Sequence, residues 1–469
     1  MAPARDDVPN GTAHENTPSN GRETKNSFGE LNLAITGLGA AYPAFQHEPS
    51  ALDTIASRYY KDTPAMKKVL GINKFTGIEA RSAIGTIDHP LVNMDRAPNI
   101  AELCDVFFKE GIPLSVGAAR KALYEARLSP SEVTHVVSTT CTNSANPGFD
   151  HFVCKELGIP LDAEKVLLHG IGCSGGLAAV RTAANLALGA SFRRRKARVL
   201  VVACEICSVL VRSELDSIQE LQETRIAIAL FSDCASACVI SNGIGEEDAE
   251  PVYELLGWEN KIVPDTETDL GFDVDPLGWK VVLSPRVPSF TGSIVSPTFN
   301  SLVSNLPNLP PNYTSAADFD WALHPGGSTI LTGVEKAMSI TPEHMRASYD
   351  VYMNHGNSSS ATILSVMDRL RCKDMEEYAP ADSSGVRRSR EYVVGCAFGP
   401  GITVEMCMLK RNMAHEKREW VAGVSGEVTP PESESEGSRS EAESEEDITE
   451  GTKDKLESLE ETMNEVDLD

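Results

Sequence analysis

The chain has 469 residues, 41% of them hydrophobic and 6% aromatic, and a formal net charge of −26. That length can bury a large core and suits two domains or one duplicated one. An acidic excess of this size argues against general nucleic-acid binding, and the absence of a run of about 20 apolar residues argues against a membrane-spanning helix. The charge is uneven: Glu427 to Asp469 holds 17 acidic and 3 basic residues, a net of −14 that leaves about −12 for the other 426. Eleven cysteines are scattered without framework spacing, which suits a reducing compartment. With no apolar leader behind Arg5, Asp6 and Asp7, a cytoplasmic location is expected.

Residues 1–29 are rich in Asn, Thr, Gly, Pro and charge and are expected to form a disordered arm. Order should begin with a strand near Leu31 to Gly39. Residues 50–70 read as mostly helical, with Pro64 starting a second helix. They carry Arg58, Lys61, Lys67 and Lys68, either a solvated helix face or a rim for the phosphates of an anionic substrate. A helix is expected over Pro113 to Ala126 and a strand over His135 to Thr142.

The chain is organised around Val166-Leu-Leu-His-Gly-Ile-Gly-Cys-Ser-Gly-Gly. Val166 to Leu168 reads as a buried strand, and the Ala- and Leu-rich run from Leu177 to Ala190 as a buried helix. Cys173 therefore sits at a strand-to-helix corner, where the helix terminus should favour a thiolate and lower the thiol pKa. Three other readings compete. A buried cysteine is commonly inert. Gly170-Ile-Gly172-Cys-Ser-Gly175 satisfies a dinucleotide fingerprint, but the next acidic candidate, Glu205, comes 30 residues after Gly175 where roughly 20 are expected. Cys204-Glu-Ile-Cys207 is a C-x-x-C pair, but the nearest further ligands, Cys234 and Cys238, sit in a Ser/Ala-rich apolar stretch with C-x-x-x-C spacing and no partner His, so zinc is not expected.

Further on, Arg198 to Ala203 reads as a buried strand and Ile226 to Ile240 as a helix or strand pair around Phe231-Ser-Asp233. Residues 243–315, rich in Pro, Gly and Asp, are expected to be loops and short strands around a pocket. A strand then ends in His324-Pro-Gly-Gly327. Tyr349 to Ala361 is expected to be a polar loop containing Asn357, feeding a helix from Thr362 to Arg371. Two strands meet at the turn Phe398-Gly399-Pro400-Gly401. From about Lys417 the Ser/Glu-rich tail cannot bury a core. Strands alternating with helices across glycine turns define an α/β class.

Cys173, His324 and Asn357 thus each follow an apolar stretch. Cysteine chemistry on thioesters needs a thiolate, a group to hold it and donors for an oxyanion, and these three types supply them. With the Cys173 turn, His324-Pro-Gly-Gly327, Gly356-Asn357-Ser-Ser-Ser and Phe398-Gly-Pro-Gly401 before Thr403-Val-Glu405, residues 31–412 resemble the type III polyketide synthases, the chalcone-synthase-like branch of the thiolase superfamily. The family's usual Gly before this Phe is Ala397 here.

The resemblance implies a five-layered αβαβα thiolase-like fold with two duplicated halves, 30–245 carrying the Cys and 246–416 carrying His and Asn, flanked by the arm 1–29 and the acidic tail 417–469. It implies a homodimer acting on acyl-CoA and malonyl-CoA, with no other cofactor and no metal. Cys173 would carry the acyl chain, while His324 and Asn357 would hold the malonyl thioester during decarboxylation. Phe231 and Val281 match the two gatekeeping positions, with Cys207, Leu210 and Ser359 as further wall positions and Phe398 to Gly401 as the cyclisation loop. Val281 in place of an aromatic ring implies a medium or long fatty acyl starter giving alkylpyrones, alkylresorcinols or alkylresorcylic acids. Arg58 and Lys61 fall near the family's CoA-binding positions. A single-condensation ketoacyl synthase III shares the three reactive residues, and a non-catalytic scaffold acting through the acidic tail is the alternative from another class.

Overall fold

The structure is a computed structural model and describes residues 30–245, 250–382 and 384–415; the expected disordered arm and tail lie outside the described residues. The first half runs β1 (Ala34–Ala41), β2 (Phe45–His47), α1 (Ser50–Tyr59), α2 (Pro64–Lys74), β3 (Arg81–Ala83), α3 (Ile100–Val106), α4 (Ile112–Glu125), β4 (His135–Thr139), α5 (Phe149–Leu157), β5 (Glu164–Leu168), α6 (Gly175–Phe192), β6 (Arg198–Ile206), α7 (Val211–Leu221) and β7 (Asp233–Ser241). The second runs β8 (Tyr253–Ile262), β9 (Leu270–Asp275), β10 (Gly278–Leu283), α8 (Val287–Ser304), β11 (Asp320–Leu323), α9 (Ser328–Met338), α10 (Arg346–His355), α11 (Thr362–Leu370), β12 (Tyr392–Gly399) and β13 (Thr403–Arg411).

Nine strands form one hydrogen-bonded sheet in the order β11-β12-β13-β8-β1-β7-β6-β4-β5. Its two parts repeat one pattern. In the first, β4 is parallel to β6, which pairs antiparallel with β7, which pairs antiparallel with β1. In the second, β11 is parallel to β12, and β12–β13 and β13–β8 are antiparallel. The parts join through only two paired positions, Ala34–Glu254 and Ile35–Tyr253.

Helices cover both parts. The helix α4 packs on β1, β6 and β7 from outside, α8 packs on β8 and β13, and α6 and α11 lie between the parts, touching strands of both. This is the five-layered, duplicated thiolase-like arrangement. Sandwiching explains the strand sequences. Every residue of β6 and β7 is buried, so neither strand alternates apolar with solvent-facing polar residues, and their buried Arg198, Glu205 and Asp233 are hydrogen-bonded.

Two expected loops are helices. Within 243–315, the 18-residue α8 contains Pro297 and has a proline in its first turn, and these helix-breaking signals hid its stripe of Val287, Thr291, Val295, Thr298, Phe299 and Leu302. The same region also supplies the ten-residue β8. Tyr349 to His355, expected as loop, belongs to α10, whose buried face includes Tyr349, Val351 and Tyr352.

One buried ionic cluster anchors the strand that leads to His324. Asp320, at the start of β11, accepts two bonds from Arg346 at 2.9 and 2.8 Å and one from Arg411 at 3.1 Å, and all three side chains are almost fully buried. Removing the carboxylate leaves two buried guanidinium groups uncompensated. Asp320→Ala is expected to cost about 3–5 kcal/mol in denaturant-induced unfolding.

Candidate active site

Cys173 lies in a single 3-10 turn, Gly172–Ser174, between β5 and α6, the corner expected from sequence. Gly172 has φ 58°, and a side chain there would drive into the Pro400 ring. A Cβ on Gly399 would come within 2.2 Å of Ser174 Oγ. The Phe398–Gly401 turn is therefore the backing against which the cysteine turn is pressed.

The equivalent corner of the second half lies between α10 and α11: Gly356, with φ 76°, leads to Asn357 and then to the 3-10 turn Ser359–Ala361. Cβ atoms on Gly175 and Gly176 would meet Ser360 at 3.1 Å (Cβ) and 2.4 Å (O), so only glycine lets the two corners approach this closely.

That approach links the residues singled out from sequence. Ser359 Oγ lies 3.4 Å from Cys173 Sγ, and Ser359 N donates to Asn357 Oδ1 at 2.8 Å. Asn357 Nδ2 donates to Gly326 O at 3.3 Å, in the loop that follows His324. The backbone of Asn357 is clamped on the Phe231 segment, with Asn357 N donating to Leu230 O and Ser232 N to Asn357 O, both at 2.9 Å. His324 is 1% exposed, and among the described residues neither ring nitrogen has a hydrogen-bond partner. A buried imidazole left in this state has both its donor and its acceptor available.

Burial pushes the Cys173 thiol up to about 11, opposed by the Ser359 hydroxyl, and pulls the His324 imidazole down to about 3. The thiol shift is opposite to the one expected from the helix terminus, because losing hydration costs the thiolate more than the terminus returns. Burial thus favours the neutral form of each group.

Sequence reading missed the buried Glu205 beneath this site. It accepts from Cys141 N (3.0 Å), Thr142 N (3.1 Å), Thr142 Oγ1 (2.8 Å), Thr140 Oγ1 (3.2 Å) and Ser360 Oγ (2.5 Å), so one carboxylate ties the end of β4 and the end of β6 to the Ser360 corner. Glu205 entered the sequence analysis only as a failed dinucleotide acid. Cys141, whose Sγ is 3.3 Å from Ser359 Oγ, carried no motif.

Cys207, Leu210, Phe231 and Val281 line one cavity together with Leu52, Ile55, Ile84, Val92, Val209 and Ile228. The walls are mostly aliphatic, and Phe231 joins the cavity to the Asn357 clamp. Ser359 stands at the thiol rather than among the residues of this wall. Arg58, on α1, is engaged by Asp88 (2.9 Å), Ile87 O and Asn93 Oδ1, whereas Lys61 is exposed. Among the described residues no group of three or more His, Cys, Asp and Glu side chains is placed to hold a metal ion.

Family models for chalcone and stilbene synthases match this chain, the N-terminal domain over residues 53–244 and the C-terminal domain over 254–413. A type III polyketide synthase of Penicillium soppii, pspB, is 41% identical over 403 residues, spanning 81% of this chain and 96% of that protein. The chain belongs to the chalcone and stilbene synthase family of type III polyketide synthases. It is thus an acyltransferase that condenses malonyl-CoA. The acylalkylpyrone synthase csyB of Aspergillus oryzae is 38% identical over 386 residues, 81% of this chain and 94% of that protein. Among solved structures, a type III pentaketide synthase from Neurospora crassa is 62% identical with a TM-score of 0.79, covering 81% of this chain and 100% of its own. No described helix is long and apolar enough to cross a membrane.

One buried carboxyl, bonded to the cavity-lining residues Ser208 and Ile84, gives the fold a pH signature. Asp233 is fully buried and accepts from Ser208 N (2.7 Å), Ser208 Oγ (2.5 Å) and Ile84 N (2.8 Å). Burial outweighs these bonds and raises its pKa to about 6. The folded state therefore holds this proton more tightly than the unfolded chain. Its contribution is present below about pH 4 and is lost as pH rises through about 6, about 3 kcal/mol in all. Urea unfolding of the native chain against Asp233→Asn between pH 4 and 7 should show the native chain losing stability relative to the variant; parallel curves would refute the assignment.

Proposed function

We propose that this polyketide synthase loads a medium or long fatty acyl group from acyl-CoA onto Cys173 as a thioester and extends it iteratively with malonyl-CoA. Cyclisation would then give alkylpyrones and alkylresorcinols or alkylresorcylic acids. The observation that carries the reading is the contact chain from Cys173 through Ser359 and Asn357 to Gly326 beside His324, set against a mostly aliphatic cavity.

In the loading step Cys173 sulfur attacks the acyl carbonyl, its proton leaves toward His324, and CoA departs as the thiol. His324 and Asn357 then donate to the malonyl thioester oxygen. Loss of carbon dioxide leaves an enolate whose charge those donors stabilise, so the step needs preorganised donors rather than a strong base. The enolate carbon attacks the Cys173 thioester, the cysteine sulfur leaves, and recapture of the lengthened chain begins the next cycle. A neutral imidazole suits both duties, since it can accept the thiol proton and then donate.

Val281 supports the fatty starter. It is 6% exposed, lines the cavity, and lies on β10, whose partner strand β9 brings Phe272 against Phe231 with ring centroids 6.0 Å apart. A valine there leaves the lining aliphatic. The similarity to the Aspergillus oryzae acylalkylpyrone synthase supports the product class. For the CoA phosphates, Lys61 is the more available cation and Arg58 the one to be recruited from Asp88. The Phe398–Gly401 turn would take part in cyclisation through the position it gives Cys173. No cofactor beyond the two CoA thioesters is proposed, in a cytoplasmic homodimer whose contact could use the outer edge of β5.

Product analysis with malonyl-CoA and a graded panel of aliphatic and aromatic acyl-CoAs tests this directly. Pyrones or resorcinols should form with fatty starters and vanish in Cys173→Ala; turnover confined to aromatic starters would refute the pocket reading. Val281→Phe should lower kcat/KM at least tenfold for the longest starters while sparing short ones, since an overfilled wall obstructs only chains that pass it. Equal loss across all lengths would show that Val281 does not select the starter.

A further inference from the structure

Between α6 and β6 the chain makes an exposed turn, Arg193-Arg194-Arg195-Lys196, next to Phe192, which is 92% exposed. The turn is rigidly made. Arg194 has φ 54°, Arg194 N donates to Ser191 O, Arg195 N donates to Ala190 O, and Asn242 Nδ2 donates to Arg195 O at 2.9 Å. Among the described residues none of the four cations has a carboxylate partner. Four such neighbours in a chain of net charge −26 call for a counter-charge.

The strand register gives the distance that one on the C-terminal stretch would have to reach. Arg411, at the end of β13, pairs with Tyr253, which pairs with Ile35; the adjacent Ala34 pairs with Ser241, which pairs with Arg198. The end of β13 and the cationic turn therefore lie at the same end of the sheet, four strand spacings or about 20 Å apart. Cys173 and His324 follow strands that end at the opposite end. Beyond the described residues, the eleven residues 416–426 can span about 36 Å when extended. They lead into Glu427 to Glu450, which holds ten acidic residues and one basic residue. The solved relative from Neurospora crassa covers 81% of this chain and all of its own, and the C-terminal family match ends at residue 413, so the stretch lies outside what the family shares.

We propose that Glu427–Glu450 docks on the Arg193–Lys196 turn of the same chain. Single exposed ion pairs contribute little. Several on one tether act together, because the linker holds the partners at a high effective concentration. The contact neutralises the cationic turn and keeps it from other polyanions, at a surface away from the reactive thiol.

Lys196 provides the handle for a test on the full chain. A zero-length carbodiimide, which joins amines to carboxylates in contact, should link Lys196 to carboxylates of 427–450 at low salt. The yield should fall at least fivefold at about 0.5 M salt, where screening is strong, and at least fivefold in R193S/R194S/R195S, whose malonyl-CoA turnover should stay within twofold of the unsubstituted chain and so report an intact fold. Three results would overturn the proposal: a yield unchanged by salt and by substitution, Lys196 links only to Glu246, Glu247 or Asp248, or links in a light–heavy isotope mixture that run mainly between copies.

Discussion

The close approach of two corners in the middle layer is the constraint on which the site depends. Gly176 at the start of α6 sits against the Ser360 backbone, at the corner before α11, at a distance that excludes any side chain, with Gly175 packed beside it. Because the two halves repeat one strand order, these corners are equivalent points of the duplication. One displays Cys173 and the other Asn357 with Ser359. Glu205 binds the arrangement from below, since its carboxylate oxygens accept from both the β4 end and Ser360. Neither corner alone holds the contact chain that joins the thiol to the His324 loop.

Burial sets the protonation of this site. Taking Cys173 and His324 out of water favours the neutral form of each, so the thiol rises and the imidazole falls. A site of this kind carries little charge at rest. The same loss of water strengthens any donor aimed at a developing oxyanion.

Much of this was legible in the sequence, and for physical reasons. The helix behind Cys173 and the strand ending at His324 are largely buried, and such elements write themselves as apolar runs; the strand ahead of Cys173, expected to be buried, is instead the half-exposed edge strand β5. The α8 helix was not legible, because Pro288 and Pro297 signal a break while tertiary packing of Val295, Phe299 and Leu302 overrides them. Tyr349 to His355 carries many polar residues and hid its helical face in the same way. Glu205 was invisible for a different reason: its five donors come from two segments far apart in the chain, Thr140–Thr142 and Ser360, and no local spacing records such a convergence. The direction of the Cys173 pKa shift was also out of reach, since a sequence shows the helix terminus but not the depth of burial.

The cavity wall and the thiol belong to different parts of the architecture. Leu52 and Ile55 come from α1, Leu210 from the turn before α7 and Val281 from the β9–β10 hairpin, while Cys173 and Asn357 stand at the corners of the central helices. The wall elements lie outside the nine-stranded sheet and the two helices it encloses. Drift at Leu52, Ile55, Leu210 or Val281 would therefore reshape the cavity without touching these corners, whereas Phe231 is tied to Asn357. A fold divided in this way can diversify in products while its chemistry stays fixed.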